Sequence, residues 1–149
     1  GVSGIDGQSS TLAGLNAGGI PTTGLLGDLS FLHDLSGLLL ADRLDRPCVV
    51  LNNGGGRIFD YLPQAGLPDF ERLWRTPRPL DLGALGRPFG IRHQRVADRV
   101  AWRQALGDAL GRCLGGESGG LIEVQVDAQA SLEVHLGFRR LLAETDLLD

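Results

Sequence analysis

Apolar positions along the 149 residues change their period several times. "TTGLLGD", Thr22 to Asp28, follows Pro21 and reads as a short buried strand ending in a Gly-Asp turn. In "SFLHDLSGLLLADRL" the leucines at 32, 35 and 39 recur at helical spacing. Leu38 and Leu40 widen the stripe, which predicts one helix buried on more than one side. "RPCVVLNN", after Pro47, is a second continuous apolar strand, and two such strands predict a sheet covered on both faces. "FGIRHQRV" gives a weaker third strand. From Asp98, an N-cap candidate, a helical stripe runs through Ala101, Ala105, Leu106, Ala109, Leu110 and Cys113 to Gly115-Gly116. "GLIEVQVD" alternates Ile122, Val124 and Val126 as a strand, and Leu132, Leu136 and Leu141 predict a final covering helix. The stretch from Phe59 to Arg87 is rich in Pro, Gly and Arg, breaks the pattern and suits an active-site loop. The alternation of strands and helices predicts an α/β fold, an open, mostly parallel sheet with helices on both faces.

Composition narrows what such a fold can do. The length suits one domain. A balance of 14 basic against 18 acidic side chains leaves no cationic surface to hold nucleic acid or an anionic membrane. No stretch approaches the roughly 20 apolar residues of a membrane span, and the N-terminus lacks the pattern of a secretion signal. The expected location is cytoplasmic. Cys48 in a strand and Cys113 in a helix make neither a disulfide framework nor a metal cluster and read as core residues. No Gly-x-Ser-x-Gly elbow or Walker-type loop is present, and the chain has no lysine. Starting at Gly1 inside a motif-like run and lacking methionine, it is expected to be a segment of a longer protein.

In open α/β sheets ligands bind beyond the carboxyl ends of the strands. Asp28 and Asn52-Asn53 both fall at such ends. If their strands are neighbours, a carboxylate and an amide oxygen converge with glycines beside them, an oxygen-only set suited to magnesium. Gly54, Gly55 and Gly56 let backbone approach a bulky anion, and a helix opening at Leu29 and Ser30 offers N–H groups to phosphate oxygens. Either half alone is an ordinary turn signal. Together they read as a metal-diphosphate cradle.

The same residues resemble a known signature. Gly27-Asp28, a spacer and Asn52-Asn53 are similar to the motif of thiamine-diphosphate enzymes. The runs "SGIDG" (3–7), "GDLSFLHDLSGL" (27–38), "NNGGGRIFDYLP" (52–63) and "TPRPLDL" (76–82) resemble the C-terminal domain of the 2-succinyl-5-enolpyruvyl-6-hydroxy-3-cyclohexene-1-carboxylate synthase (MenD) family of menaquinone biosynthesis. The resemblance implies magnesium ligation by Asp28, the Asn53 side chain and the Gly55 carbonyl. It implies diphosphate contacts from Gly27, Leu29 and Ser30. Ile5 would prop thiamine diphosphate in its bent form, and Ile58 and Phe59 would form an apolar wall beside the reactive carbon. The implied reaction decarboxylates 2-oxoglutarate and adds the succinyl-semialdehyde unit to isochorismate, in a homo-oligomeric enzyme.

Three positions depart from the family pattern: Gly54, where many relatives carry Asn or Asp; Arg57, where an uncharged residue is usual; and the Arg78-Pro79 pair. Arg57 is a candidate clamp for a substrate carboxylate. His33-Asp34, His93 and His135 read as structural, and Trp74 and Trp102 as packing anchors. The family also uses a glutamate from an N-terminal domain of a neighbouring subunit. These 149 residues by themselves are therefore expected to bind cofactor without turnover. Two other readings stand beside this one, a different carboligase or decarboxylase using the same cofactor, and a non-catalytic module that kept the fold.

Overall fold

A computed structural model describes residues 4–77 and 79–145. Ser3 of the "SGIDG" run and Arg78 lie outside the described residues. The elements are α1 (Gln8–Ala17), β1 (Gly24–Gly27), α2 (Asp28–His33), a 3-10 segment (Leu35–Arg43), β2 (Cys48–Asn52), α3 (Leu82–Gly86), β3 (His93–Val96), α4 (Arg99–Leu114), β4 (Leu121–Gln125) and α5 (Ala128–Glu144). The four strands form one sheet in the order β1-β2-β4-β3, and every pairing is parallel. Gly27 pairs with Leu51 and Leu51 with Val124, so the carboxyl ends of the three strands lie level.

Side chains alternate between the two faces of each strand. Cys48, Val50 and Leu121 join Leu12, Phe31, Leu38 and Leu44 in the larger core, under α1 and the 3-10 segment. Ile122 and Val96 face the other way and meet Ala105 and Ala109 of α4. Small residues let that helix sit close. Asp98 caps it as expected, accepting from the N–H groups of Val100 and Ala101 at 2.9 Å. Cys48 is buried, which pushes its thiol pKa up to about 12 and makes it inert. Cys113 is only half-buried.

Four expectations need correction. The predicted long helix is broken at Asp34, whose carboxylate turns away to accept from Ser10 N at 2.6 Å and Ser10 Oγ at 2.8 Å. Beyond the break, Leu39 and Leu40 face solvent. Coverage of β1 is incomplete: it is an edge strand, and Leu25 is 67% exposed. The last strand is shorter than expected: β4 ends at Gln125, leaving Val126 beyond it, and between β2 and β3 its Leu121, Ile122 and Glu123 are all enclosed. The last helix forms but covers little: α5 has no fully buried residue, and Leu136 and Leu141 are exposed. Apolar spacing set its period, whereas its position after the last strand leaves most of that face open.

Gly37 shows how tightly the broken segment is held. A Cβ there would collide with the backbone of Ser9 and Ser10 in α1. Gly37→Ala is expected to destabilise the fold by about 2 kcal/mol, the cost of overpacking, read as a lower urea midpoint with an unchanged slope.

Candidate cofactor site

Strand ends at one level bring the sequence-predicted residues to one place. Asp28 is the first residue of α2, immediately after β1, and is buried. Its Oδ2 accepts from the N–H groups of Gly54 at 3.0 Å and Gly55 at 2.8 Å, beyond β2. Its Oδ1 accepts from Leu29 N at 2.9 Å. That bond corrects one expectation: the helix opens at Asp28, and the Leu29 N–H is taken by the carboxylate beside it. Burial pushes the Asp28 carboxyl above its ordinary range, opposed in part by the backbone N–H groups of Gly55, Leu29, Gly54 and Asp28 itself.

The glycines hold backbone that other residues resist. Gly54 has φ +80° and Gly55 φ +122°. A Cβ on Gly55 would lie 2.5 Å from the carbonyl oxygen of Arg75. Gly56 N donates to that same oxygen at 2.8 Å, so the turn at Glu71–Arg75 is clamped over the loop.

A cavity of about 300 Å³ opens at this point. Gly27, Asp28, Leu29 and Ser30 line one side of it, and Asn53, Gly55 and Gly56 line another. Ile5, Ile58 and Phe59 supply its apolar surface, and Arg57 stands at its edge. Ile58 is 74% exposed, so it belongs to the cavity mouth rather than to the core. Phe59 packs edge-on against Trp74 with ring centroids 5.7 Å apart. Every residue named from the resemblance as a ligand, diphosphate contact or wall position therefore reaches a single volume, while Gly54 is not part of its lining.

The oxygens at hand suit a hard cation. Asn53 Oδ1 is buried and has no hydrogen-bond partner among the described residues, a costly state for an amide oxygen. Asp28 adds a carboxylate, and the Gly55 carbonyl accepts a hydrogen bond from Arg57 N at 2.8 Å. Among the described residues no three His, Cys, Asp or Glu side chains converge as a metal cluster. The set is all oxygen, with a concave cavity and glycine backbone beside it, which fits magnesium and a diphosphate.

Arg57 lies between this cavity and a second, of about 320 Å³, lined by Leu51, Tyr61, Val126, Leu132 and His135. Its Nε donates to Asn53 O at 3.3 Å and its Nη1 is 3.5 Å from Asp60. Arg75 holds the same Asp60 more closely, at 2.5 Å. Asp34 ties α2 to α1, a structural role as expected, whereas His33 is exposed rather than packed.

Sequence reasoning missed a further buried carboxylate, beyond those of Asp28 and Asp34. Glu123 is fully enclosed, on the face of β4 that Asn52 and the edge-strand residues His93 and Arg95 share. Its Oε1 accepts from Asn52 Nδ2 at 2.7 Å, and its Oε2 meets His93 Nε2 at 2.8 Å and Arg95 Nε at 3.0 Å. The signal was available as a lone Glu inside an apolar strand with His and Arg two residues apart on another. Burial opposes ionisation of Glu123, but the hydrogen bonds from Asn52, Arg95 and His93 and the Arg95 charge outweigh it and hold the carboxyl below its ordinary range.

Comparison with known proteins agrees with this architecture. No family model matches the chain. The 2-succinyl-5-enolpyruvyl-6-hydroxy-3-cyclohexene-1-carboxylate synthase of Lactococcus lactis subsp. lactis is 38% identical over 138 residues, covering 91% of this chain. The synthase of the same name from Chlorobaculum parvum is 40% identical over 150 residues, covering 98% of it. The chain spans about a quarter of the length of these relatives, 24% of each. Among solved structures, benzoylformate decarboxylase from Polynucleobacter necessarius superposes with a TM-score of 0.50 at 25% identity, over 79% of this chain and 22% of that one. The fold is that of the thiamine-diphosphate-binding domains. Within that class its sequence matches those of 2-succinyl-5-enolpyruvyl-6-hydroxy-3-cyclohexene-1-carboxylate synthases over nine-tenths of its own length.

The depressed carboxyls set an acid limit. Glu123 and Asp34 are both held below their ordinary values of 4.5 and 3.8, against the effect of burial. Groups lowered on folding add stability that is complete above the unfolded value and lost as pH falls through the folded one. The stability that Glu123 contributes is therefore expected to be complete above pH 4.5 and lost below it, so the acid fall in urea stability is shallower in Glu123→Gln, while Asp28, raised on folding, acts in the opposite sense in both chains.

Proposed function

We propose that the chain is the diphosphate- and magnesium-binding domain of a thiamine-diphosphate-dependent synthase of menaquinone biosynthesis. That synthase decarboxylates 2-oxoglutarate and adds the four-carbon unit to isochorismate. The observation that carries the reading is the unpartnered, buried Asn53 Oδ1, in the same cavity as Asp28 and Gly55, in a chain that matches these synthases. Thiamine diphosphate, when bound, supplies a carbon nucleophile that no protein side chain offers.

Each residue has a separate task. Asp28, Asn53 Oδ1 and the Gly55 carbonyl hold magnesium, which neutralises the diphosphate charge. Gly27, Leu29 and Ser30 form the surface against which the diphosphate lies, without a side-chain cation. Ile5, in the lining of the same cavity, would support the cofactor through an apolar contact. Ile58 and Phe59 keep water from the reacting carbon and favour neutral over charged species there. Arg57, loosely held by an Asp60 that Arg75 already neutralises, receives a substrate carboxylate. The 149 residues by themselves bind the cofactor without turnover, and the complete synthase acts as a homo-oligomer in which another domain supplies the acid that the pyrimidine ring needs.

Calorimetric titration of thiamine diphosphate into the chain, with and without magnesium, is the direct test. Binding is expected to require magnesium and to vanish in Asn53→Ala. That variant removes an oxygen with no partner among the described residues and is expected to leave the melting temperature unchanged. Magnesium-independent binding, or full affinity in Asn53→Ala, would overturn the reading. Turnover by the 149 residues alone would overturn the claim that they are a half-site.

Arg57 is tested separately, in the complete synthase. Arg57→Ala is expected to leave cofactor affinity intact and to raise KM for a carboxylate substrate by about tenfold or more, the scale of one charge-assisted hydrogen bond. The donor that responds identifies the substrate, with 2-oxoglutarate expected rather than pyruvate.

A further inference from the structure

Glu123 lies on β4, outside the cavity, yet it is joined to the glycine loop by hydrogen bonds. An ionised carboxylate only accepts, so the end of the Asn52 amide that faces it must be the NH2 group. Asn52 Nδ2 accordingly donates to Glu123 Oε1 at 2.7 Å. The other end, Oδ1, is thereby turned to accept from Gly54 N at 3.2 Å. The backbone of Asn52 is pinned as well, by Val126 N donating to its carbonyl at 2.9 Å. The result is a closed turn over Asn53, with the Gly54 N–H shared between Asn52 Oδ1 and Asp28 Oδ2. His93 and Arg95 hold the far oxygen of Glu123, and Asn52 holds the near one.

We propose that Glu123, anchored by His93 and Arg95, is the positioning residue of the cofactor site: it dictates which way the Asn52 amide faces, and so closes the turn that carries Asn53 and Gly54. Glu123 lies away from the cavity and acts through Asn52. A neutral, isosteric glutamine at position 123 has an NH2 group of its own. Donated toward position 52, it favours the flipped Asn52 amide, whose NH2 then opposes the Gly54 N–H. Two donors face each other and the turn opens. The effect on cation binding rests on the magnesium reading above, whereas the effect on the turn does not.

The test therefore has two readouts on the whole 149-residue chain. Amide hydrogen exchange without any cation reports the turn. Glu123→Gln is expected to speed exchange at Gly54 and Gly55 by about tenfold, the scale of one lost hydrogen bond, while the Leu121 amide of the central strand stays protected. The affinity for manganous ion with thiamine diphosphate present is expected to fall by a similar factor. The paired variant Asn52→Asp with Glu123→Gln keeps one carboxylate and one amide in the cluster with their roles exchanged. The introduced glutamine then donates, and the introduced aspartate accepts both from it and from Gly54 N. The pair is expected to restore slow exchange at Gly54, which repair of packing alone would not do.

Unchanged exchange at Gly54 and Gly55 in a folded Glu123→Gln chain would overturn the proposal. So would a paired variant that folds but leaves those amides fast. If Glu123→Gln does not fold, recovery of the fold and of Gly54 protection in the pair supports the proposal, and failure to recover overturns it. Absence of manganous ion binding by the unaltered chain, with the exchange pattern as expected, would count against the magnesium reading and leave the positioning role supported.

Discussion

The contact on which the site depends is the double hydrogen bond from the Gly54 and Gly55 amides to one oxygen of Asp28. It exists because β1 and β2 are parallel neighbours in level register, so the loops leaving them start side by side. A shift of one residue in that register would move the start of α2, and Asp28 with it, by about 3.3 Å along the strand and away from the two amides. Cost and benefit sit in the same place. Burial opposes the charge on Asp28, and the backbone N–H groups around it offset that cost in part.

Around that contact the sheet is asymmetric in purpose. On one face Ile122 and Val96 pack on the alanines of α4, while Leu25 at the edge stays open to solvent. The other combines an apolar floor under α1 with a polar cluster near the strand ends, where Asn52, Glu123, His93 and Arg95 share a face. Buried polar clusters of this kind stabilise little unless fully satisfied, and they favour one arrangement over its neighbours. Glu123 has a partner on each oxygen, which leaves Asn53 Oδ1 conspicuous as an open position in the same neighbourhood.

Much of this was legible in the sequence because local chemistry and global placement coincide. The two continuous apolar runs became adjacent strands, Asp98 became a cap, and the Gly-Asp and Asn-Asn ends met. What was not legible depended on neighbours. Asp34 could not be recognised as a helix breaker without Ser10 from another helix to bond. Glu123 went unremarked in its strand, since its partners Asn52, His93 and Arg95 come from the two strands that flank β4. α5 carries a helical stripe whose period says nothing about whether anything packs on it.

The two adjacent glycines of the loop differ in what they permit over evolutionary time. Gly55 faces the Arg75 carbonyl at a distance no Cβ tolerates, so every codon change there is closed to drift. Gly54 has φ +80° and open space around it. Asparagine and aspartate enter that backbone region at small cost. Position 54 is therefore free to wander among Gly, Asn and Asp across a lineage, while the residue beside it stays fixed, and an alignment of descendants would show variation and invariance side by side.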